Sequence, residues 1–161
     1  MIHREENTIK AINKLKDCFP YAAGMLAYVV IERQLKEYIL KHRNGKLAAR
    51  EVTLTNHKKV KFEDYASKSD EEFINKVLTK MTLANTEKVL GIDPSNGAAN
   101  DRNDMMHSNL YIVGERMLSE EERHRKNIEH FEKAKSHLIR TFKDFSDIPL
   151  DEKEGKLVFS T

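Results

Sequence analysis

At 161 residues, 39% apolar and 34% charged, the chain has the size and balance of one soluble domain with a proper core, and is short for two. No window approaches the ~18 apolar residues of a transmembrane helix, the N-terminal "MIHREENTIK" lacks the apolar region of a secretory signal, and a lone Cys18 excludes an internal disulfide, so a reducing cytoplasm is the expected location. The net charge of +2 hides an asymmetry, because nine basic residues between 33 and 61 stand against Glu37 and Glu51, leaving that stretch at +7 and the remainder at −5; an anionic partner and a plain solvated face account for this equally well.

Residues 5–17 place Ile9, Ile12 and Leu15 at helical spacing, predicting a short amphipathic helix ended by Pro20. "YAAGMLAYVVIERQLKEYILKHRNG" predicts a long helix with Met25, Leu26, Val29, Val30, Leu35, Ile39 and Leu40 on a broad apolar stripe and Asn44-Gly45 as its stop. Ala22, Ala23, Gly24 and Ala27 keep its first half slim, so another helix can approach closely. Residues 46–68 break the period: "EVTLTNHKKVKF" suits a hairpin or an irregular loop around Asn56-His57. Helix resumes at Ser69 or Asp70 with Glu72 placed for a capping box and Phe73, Val77, Leu78 and Met81 on one stripe. "NTEKVLGI" predicts a short helical turn and "DPSNGAAN" a loop, with Ser95 or Asn96 capping a helix that runs to about Met117. Ser119 and Glu122 form a second capping box, for a last helix with Ile128, Phe131, Ala134, Leu138, Phe142 and Phe145 on its apolar face. The expected fold is all-α: an antiparallel four- to five-helix bundle over 1–146, with a small β-hairpin or loop insertion near 50–65 and a linker-like tail over 147–161 in which "KLVFS" can dock as a strand.

The chemistry concentrates in "DRNDMMHSNLYI", residues 101–112, where Arg102, Asn103 and His107 interrupt a greasy helical stretch. At about 100° and 1.5 Å per residue, Asn103 and His107 lie one turn apart on nearly one face, with Arg102 roughly 140° from His107 and some 7.5 Å below it. An arginine fork matches phosphate oxygens, and an imidazole titrates near neutrality and can take or give a proton. Asparagine can orient either one or touch substrate. With a ribose 2′-hydroxyl nearby, these are the parts for RNA cleavage without a metal. The same spacing also suits a buried polar bridge.

"RNDMMH" resembles the R-x4-6-H signature of the HEPN superfamily, in which a polar residue, often Asn, follows the arginine. The order of elements agrees: an early apolar helix, a polar insertion, the motif on a later helix and one closing helix, over roughly residues 5–145. The resemblance implies a bundle that dimerises so that two motifs face one cleft, a homodimer with a composite active site. It also implies a metal-independent endoribonuclease acting in a toxin–antitoxin or antiphage setting, with RNA as substrate, no cofactor, and a possible antitoxin protein as partner. His107 would then serve as general base or acid, Arg102 would stabilise the charge developing on the phosphorane and Asn103 would orient the pair. The products would carry a 2′,3′-cyclic phosphate and a 5′-hydroxyl. In HEPN toxins paired with a minimal nucleotidyltransferase antitoxin, a tyrosine two residues after the histidine receives nucleotides. Here Asn109 stands at that place and Tyr111 at plus four, which argues against that form of control. The alternative is a catalytically silent HEPN-type module that binds RNA, nucleotide or a protein.

Tyr111 and Glu32 are supporting candidates for substrate binding. Glu32 can hold the Arg102 fork, although pairing with Lys36 one turn on is the preferred reading. Met105, Met106 and Leu110 are read as packing residues. His124, His130 and His137 stand six and seven apart, not at the one-turn spacing that clamps a metal, and are read as solvent-facing or flanking.

Overall fold

The computed structural model describes residues 3–107, 112–113 and 116–160, with backbone alone at 112–113 and 116–117. In chain order the elements are α1 (Glu6–Leu15), α2 (Pro20–His42), β1 (Glu51–Thr53), β2 (Lys59–Lys61), α3 (Asp70–Lys76), α4 (Leu83–Val89), α5 (Ala98–His107), β3 (Ile112–Val113), β4 (Arg116–Met117), α6 (Glu120–Phe145), β5 (Leu150–Lys153) and β6 (Lys156–Phe159). The chain is therefore mainly helical with small antiparallel hairpins. Its contacts divide into two compact units, Met1–Ile31 with Asn100–Thr161, and Glu32–Ala99.

In the first unit, α1 buries Ile9 and Ile12 as its spacing predicts. Pro20 does not end that helix. The chain leaves it after Leu15, and Pro20 opens α2, where a missing N–H costs nothing. Ala23, Ala27, Tyr28, Val30 and Ile31 are buried along α2, whereas Val29 falls on the outer side. Ser119 caps α6 as read: its Oγ accepts the Glu122 N–H and donates to the Glu122 carboxylate, both at 3.1 Å. Phe131, Ala134, Leu138 and Phe142 are buried on α6, while Ile128 is exposed.

The tail is not a linker with one docked strand. Both β5 and β6 form, in register Leu150↔Phe159 to Lys153↔Lys156. They are joined by Glu154-Gly155, both at positive φ, the backbone of a two-residue hairpin turn. Leu150 and Leu157 are buried. Asn13 of α1 brackets Leu157, accepting its N–H and donating to its carbonyl, each at 2.8 Å. The Phe159 ring stacks on His3 at 4.2 Å and meets Phe142 edge-on at 5.2 Å.

In the second unit the 46–68 insertion is a hairpin. β1 pairs with β2 in register Glu51↔Lys61, turning Val52 and Val60 inward and the charged neighbours outward. His57 supplies the left-handed residue of the turn, at φ 66. The hairpin closes a core of Ile39, Leu54, Phe62, Phe73, Val77 and Met81, among others. Ser69 caps α3 as read, accepting the Glu72 N–H at 3.1 Å.

Three residues of the basic stretch have structural work. Arg43, buried, donates to Asp70 at 2.5 Å and the Lys68 carbonyl at 2.8 Å, with its guanidinium 5.4 Å from the centre of the Phe73 ring. Arg50 donates to the carbonyls of Arg43 and Gly45, just past the end of α2. Lys36 donates to the Met81 carbonyl at 3.0 Å. Such cations satisfy orphan carbonyls and favour a helix C-terminus.

α4 ends on Gly91 at φ 74, with the Ile92 and Gly91 N–H groups donating to the carbonyls of Glu87 and Lys88, a Schellman stop. The start of α5 is capped from further back in the chain. The Glu87 carboxylate accepts the Ala98 N–H at 2.6 Å and the Ala99 N–H at 3.0 Å. A Cβ on Gly97 would lie 2.6–2.9 Å from that carboxylate, so the approach requires glycine. Replacing Glu87 leaves two buried donors without an acceptor, so Glu87→Ala is expected to lower stability by about 2 kcal/mol, read as a reduced urea midpoint at unchanged slope.

Candidate functional site

α5 holds the motif, and its orientation is set by two residues one turn apart. Met105 is fully buried, and its Sδ lies 2.8 Å from where a Cβ on Gly24 of α2 would sit. The same point is 3.8 Å from the Phe131 Cα of α6. The slim segment of α2 thus receives a neighbouring helix, as its small residues predict, and glycine is the residue that leaves room. One turn earlier, Asp101 Oδ2 and His137 Nε2 of α6 are 2.6 Å apart, with the Tyr28 ring 6.4 Å from that imidazole. His137 is therefore a buried, hydrogen-bonded residue and not the solvent-facing one its spacing suggests. The missed signal is the pairing of Asp101 with a histidine on the last helix, which linear spacing does not reveal.

These contacts also give the sense of the helices. Moving from Tyr28 to Gly24 on α2 accompanies His137 to Phe131 on α6 and Asp101 to Met105 on α5. Hence α2 and α6 run the same way and α5 runs against both.

With Asp101 and Met105 inward, helical geometry turns Asn103 and His107 to the opposite side, and both are exposed. Arg102 lies on the flank and is partly buried. Met106, 48% exposed, is a surface residue. The motif side chains are thus divided between an outward face and its flank. α5 spans Ala98–His107, and the helix does not run to Met117, because β3 pairs with β4 in register Ile112↔Met117 and Val113↔Arg116. The β-branched Ile112 and Val113 favour extended backbone over helix. Tyr111, like Asn109 and Leu110, lies outside the described residues. Glu32 stands 3.7 Å from Lys36, the pairing preferred from sequence.

His130, on α6, is held below the usual histidine pKa by burial first, then by Lys133 and Lys126; Asp104 of α5 and Glu129 oppose the shift. Among the described residues no group of three or more His, Cys, Asp or Glu side chains could hold a metal ion, and no helix is long and apolar enough to cross a membrane. Searches of family models, curated proteins and solved structures return no match to the chain.

Gly24→Val should force the packed Met105 aside and cost about 2–3 kcal/mol in urea denaturation, with part of the loss recovered when Met105→Ala is added. The His130 ring should titrate below 6.5 in NMR spectra. Below that pH the folded chain binds fewer protons there than the unfolded chain. The stabilisation from this group is therefore present above 6.5 and lost as pH falls through the lowered folded value. His130→Gln should remove that contribution, making stability less steep in pH across the window.

Proposed function

We propose that the chain is a metal-independent endoribonuclease of HEPN type, acting on RNA as a homodimer whose two motifs share one cleft. The observation that supports this most is the direction of α5. Asp101 and Met105 take up the inward face, leaving His107 and Asn103 exposed on the other side with Arg102 beside them. A proton-transfer group and a phosphate-matching cation belong on such a face if a strand is to reach them.

In this reading His107 accepts the proton of a ribose 2′-hydroxyl as its oxygen attacks the adjacent phosphorus. Arg102 stabilises the charge that builds on the phosphorane oxygens. The bond from phosphorus to the 5′-oxygen breaks, and the second copy of His107 supplies the proton to that leaving oxygen. The products are a 2′,3′-cyclic phosphate and a 5′-hydroxyl. Asn103, one turn before His107, orients the imidazole or the bound phosphate. A toxin–antitoxin or antiphage setting, with an antitoxin protein as partner in the cytoplasm, follows from the same reading.

The partial burial of Arg102 favours one further reading, a catalytically silent HEPN-type module in which the arginine braces the helix and the exposed face binds RNA, nucleotide or protein. Cleavage separates the two. The wild-type chain is expected to cut an RNA pool in the presence of a chelator. His107→Ala and Arg102→Ala should each lower the rate by about 100-fold or more while retaining circular dichroism and dimer mass. A wild-type chain that leaves every RNA intact contradicts the enzyme.

A further inference from the structure

The first unit carries a second feature that the motif does not use. Where α2 and α6 begin, Phe19, Tyr21, Glu120, Arg123, His124 and Asn127 line an open groove of about 530 Å³. Phe19 is 64% exposed, the most of any large apolar side chain among the described residues. It is nonetheless held firmly by its backbone: its N–H donates to the Leu15 carbonyl at 2.6 Å and its carbonyl accepts the Ala23 N–H at 3.0 Å. Covering an aromatic side chain this exposed removes apolar area from water and is favourable. Arg123 makes no ion pair with any described residue, and His124 is exposed beside it.

The position of this groove matters as much as its lining. Gly24, Met105 and Phe131 meet at one level. From there His107 lies about 3 Å further along α5, while Pro20 and Asn127 each lie about 6 Å back along α2 and α6. Because α5 runs against the other two helices, these displacements point the same way. The groove and the exposed His107 therefore share one end of the unit.

We propose that this groove is a binding site for single-stranded RNA, with a nucleobase stacked on Phe19 and its phosphate held by Arg123. An aromatic face beside a cation is the pairing that grips a single strand without regard to sequence, since every base has a π-face. His124 and Asn127 offer hydrogen bonds to base edges. Glu120, on the rim, repels phosphate and can accept from base amino groups, which places the backbone on the Arg123 side. The site rests on the ribonuclease reading for its substrate class, and would hold a strand at the end of the unit where His107 lies.

The test uses a fluorescein-labelled 12-nucleotide oligouridylate and the His107→Ala chain, so that binding is read without cleavage. Phe19→Ala is expected to weaken the dissociation constant by about 5- to 100-fold, and Phe19→Trp to restore it. Arg123→Gln should weaken binding and reduce the slope of log affinity against log salt by about one. Cys18, exposed and adjacent to Phe19, should be shielded from a maleimide by the oligonucleotide. Equal affinities for the Phe19 variants and an unshielded Cys18 would overturn the proposal, even if the wild-type chain cuts RNA. Binding that depends on Phe19 in a chain that cuts nothing would uphold this site and remove the enzyme reading. An oligonucleotide that does not bind while an apolar peptide shields Cys18 assigns the groove to a protein and also overturns it.

Discussion

The rotation of one short helix decides what this protein can offer to a partner. α5 is polar along most of its length, and little in its composition tells it which side to bury. Two contacts settle the matter. Met105 enters the space that Gly24 leaves open, and Asp101 bonds His137 at 2.6 Å. The methionine supplies apolar burial, and its flexible thioether fits an irregular gap. The carboxylate–imidazole bond supplies direction, because turning the helix by one residue would rotate Asp101 away by about 100° and strand a buried imidazole. A mid-helix glycine costs roughly 1 kcal/mol relative to alanine, and here that cost is offset by close approach of three helices.

The second unit handles polarity differently. Its cations reach back to the main chain. Arg43, Arg50 and Lys36 all donate to backbone carbonyls, and Arg43 also packs on Phe73. Lys59 stands 3.0 Å from Glu51 across the hairpin. A stretch with a formal excess of seven positive charges is thus partly an internal device for satisfying loop and helix-end carbonyls. Formal charge along the sequence overstates what such a segment presents to an anion.

Local signals were the most legible. The serine caps at Ser69 and Ser119 and the stop after His42 act through neighbours within a few residues, and each is present; the slim face around Gly24 was also legible from its small residues, although the helices it admits lie far away in the chain. What escaped were partners far apart in the chain or disguised by residue type. Glu87 caps α5 across eleven residues. Glu154-Gly155 makes a hairpin turn usually marked by asparagine, and His57 takes a left-handed conformation without being glycine. The β3–β4 pairing shows strand preference at Ile112 and Val113 prevailing over a helical pattern that ran on to about Met117 in the sequence. At the site, the residue types were legible in "RNDMMH", but which of them would be turned outward depended on Gly24 and His137. Those two positions carry no motif.

The bracket that Asn13 places around Leu157 spans 144 residues, and it has a consequence for how the molecule is born. Glu32–Ala99 is one unbroken stretch, so its hydrophobic cluster can assemble while the ribosome is still at work. α1 has no such opportunity. Its sheet partner lies 144 residues further along the chain, and until that segment is made Ile9 and Ile12 must wait or be sheltered by something else. Long-range closure of this kind slows folding and prolongs exposure of apolar surface. The interval between the two events is when this chain is most open to chaperones, proteases or a binding partner.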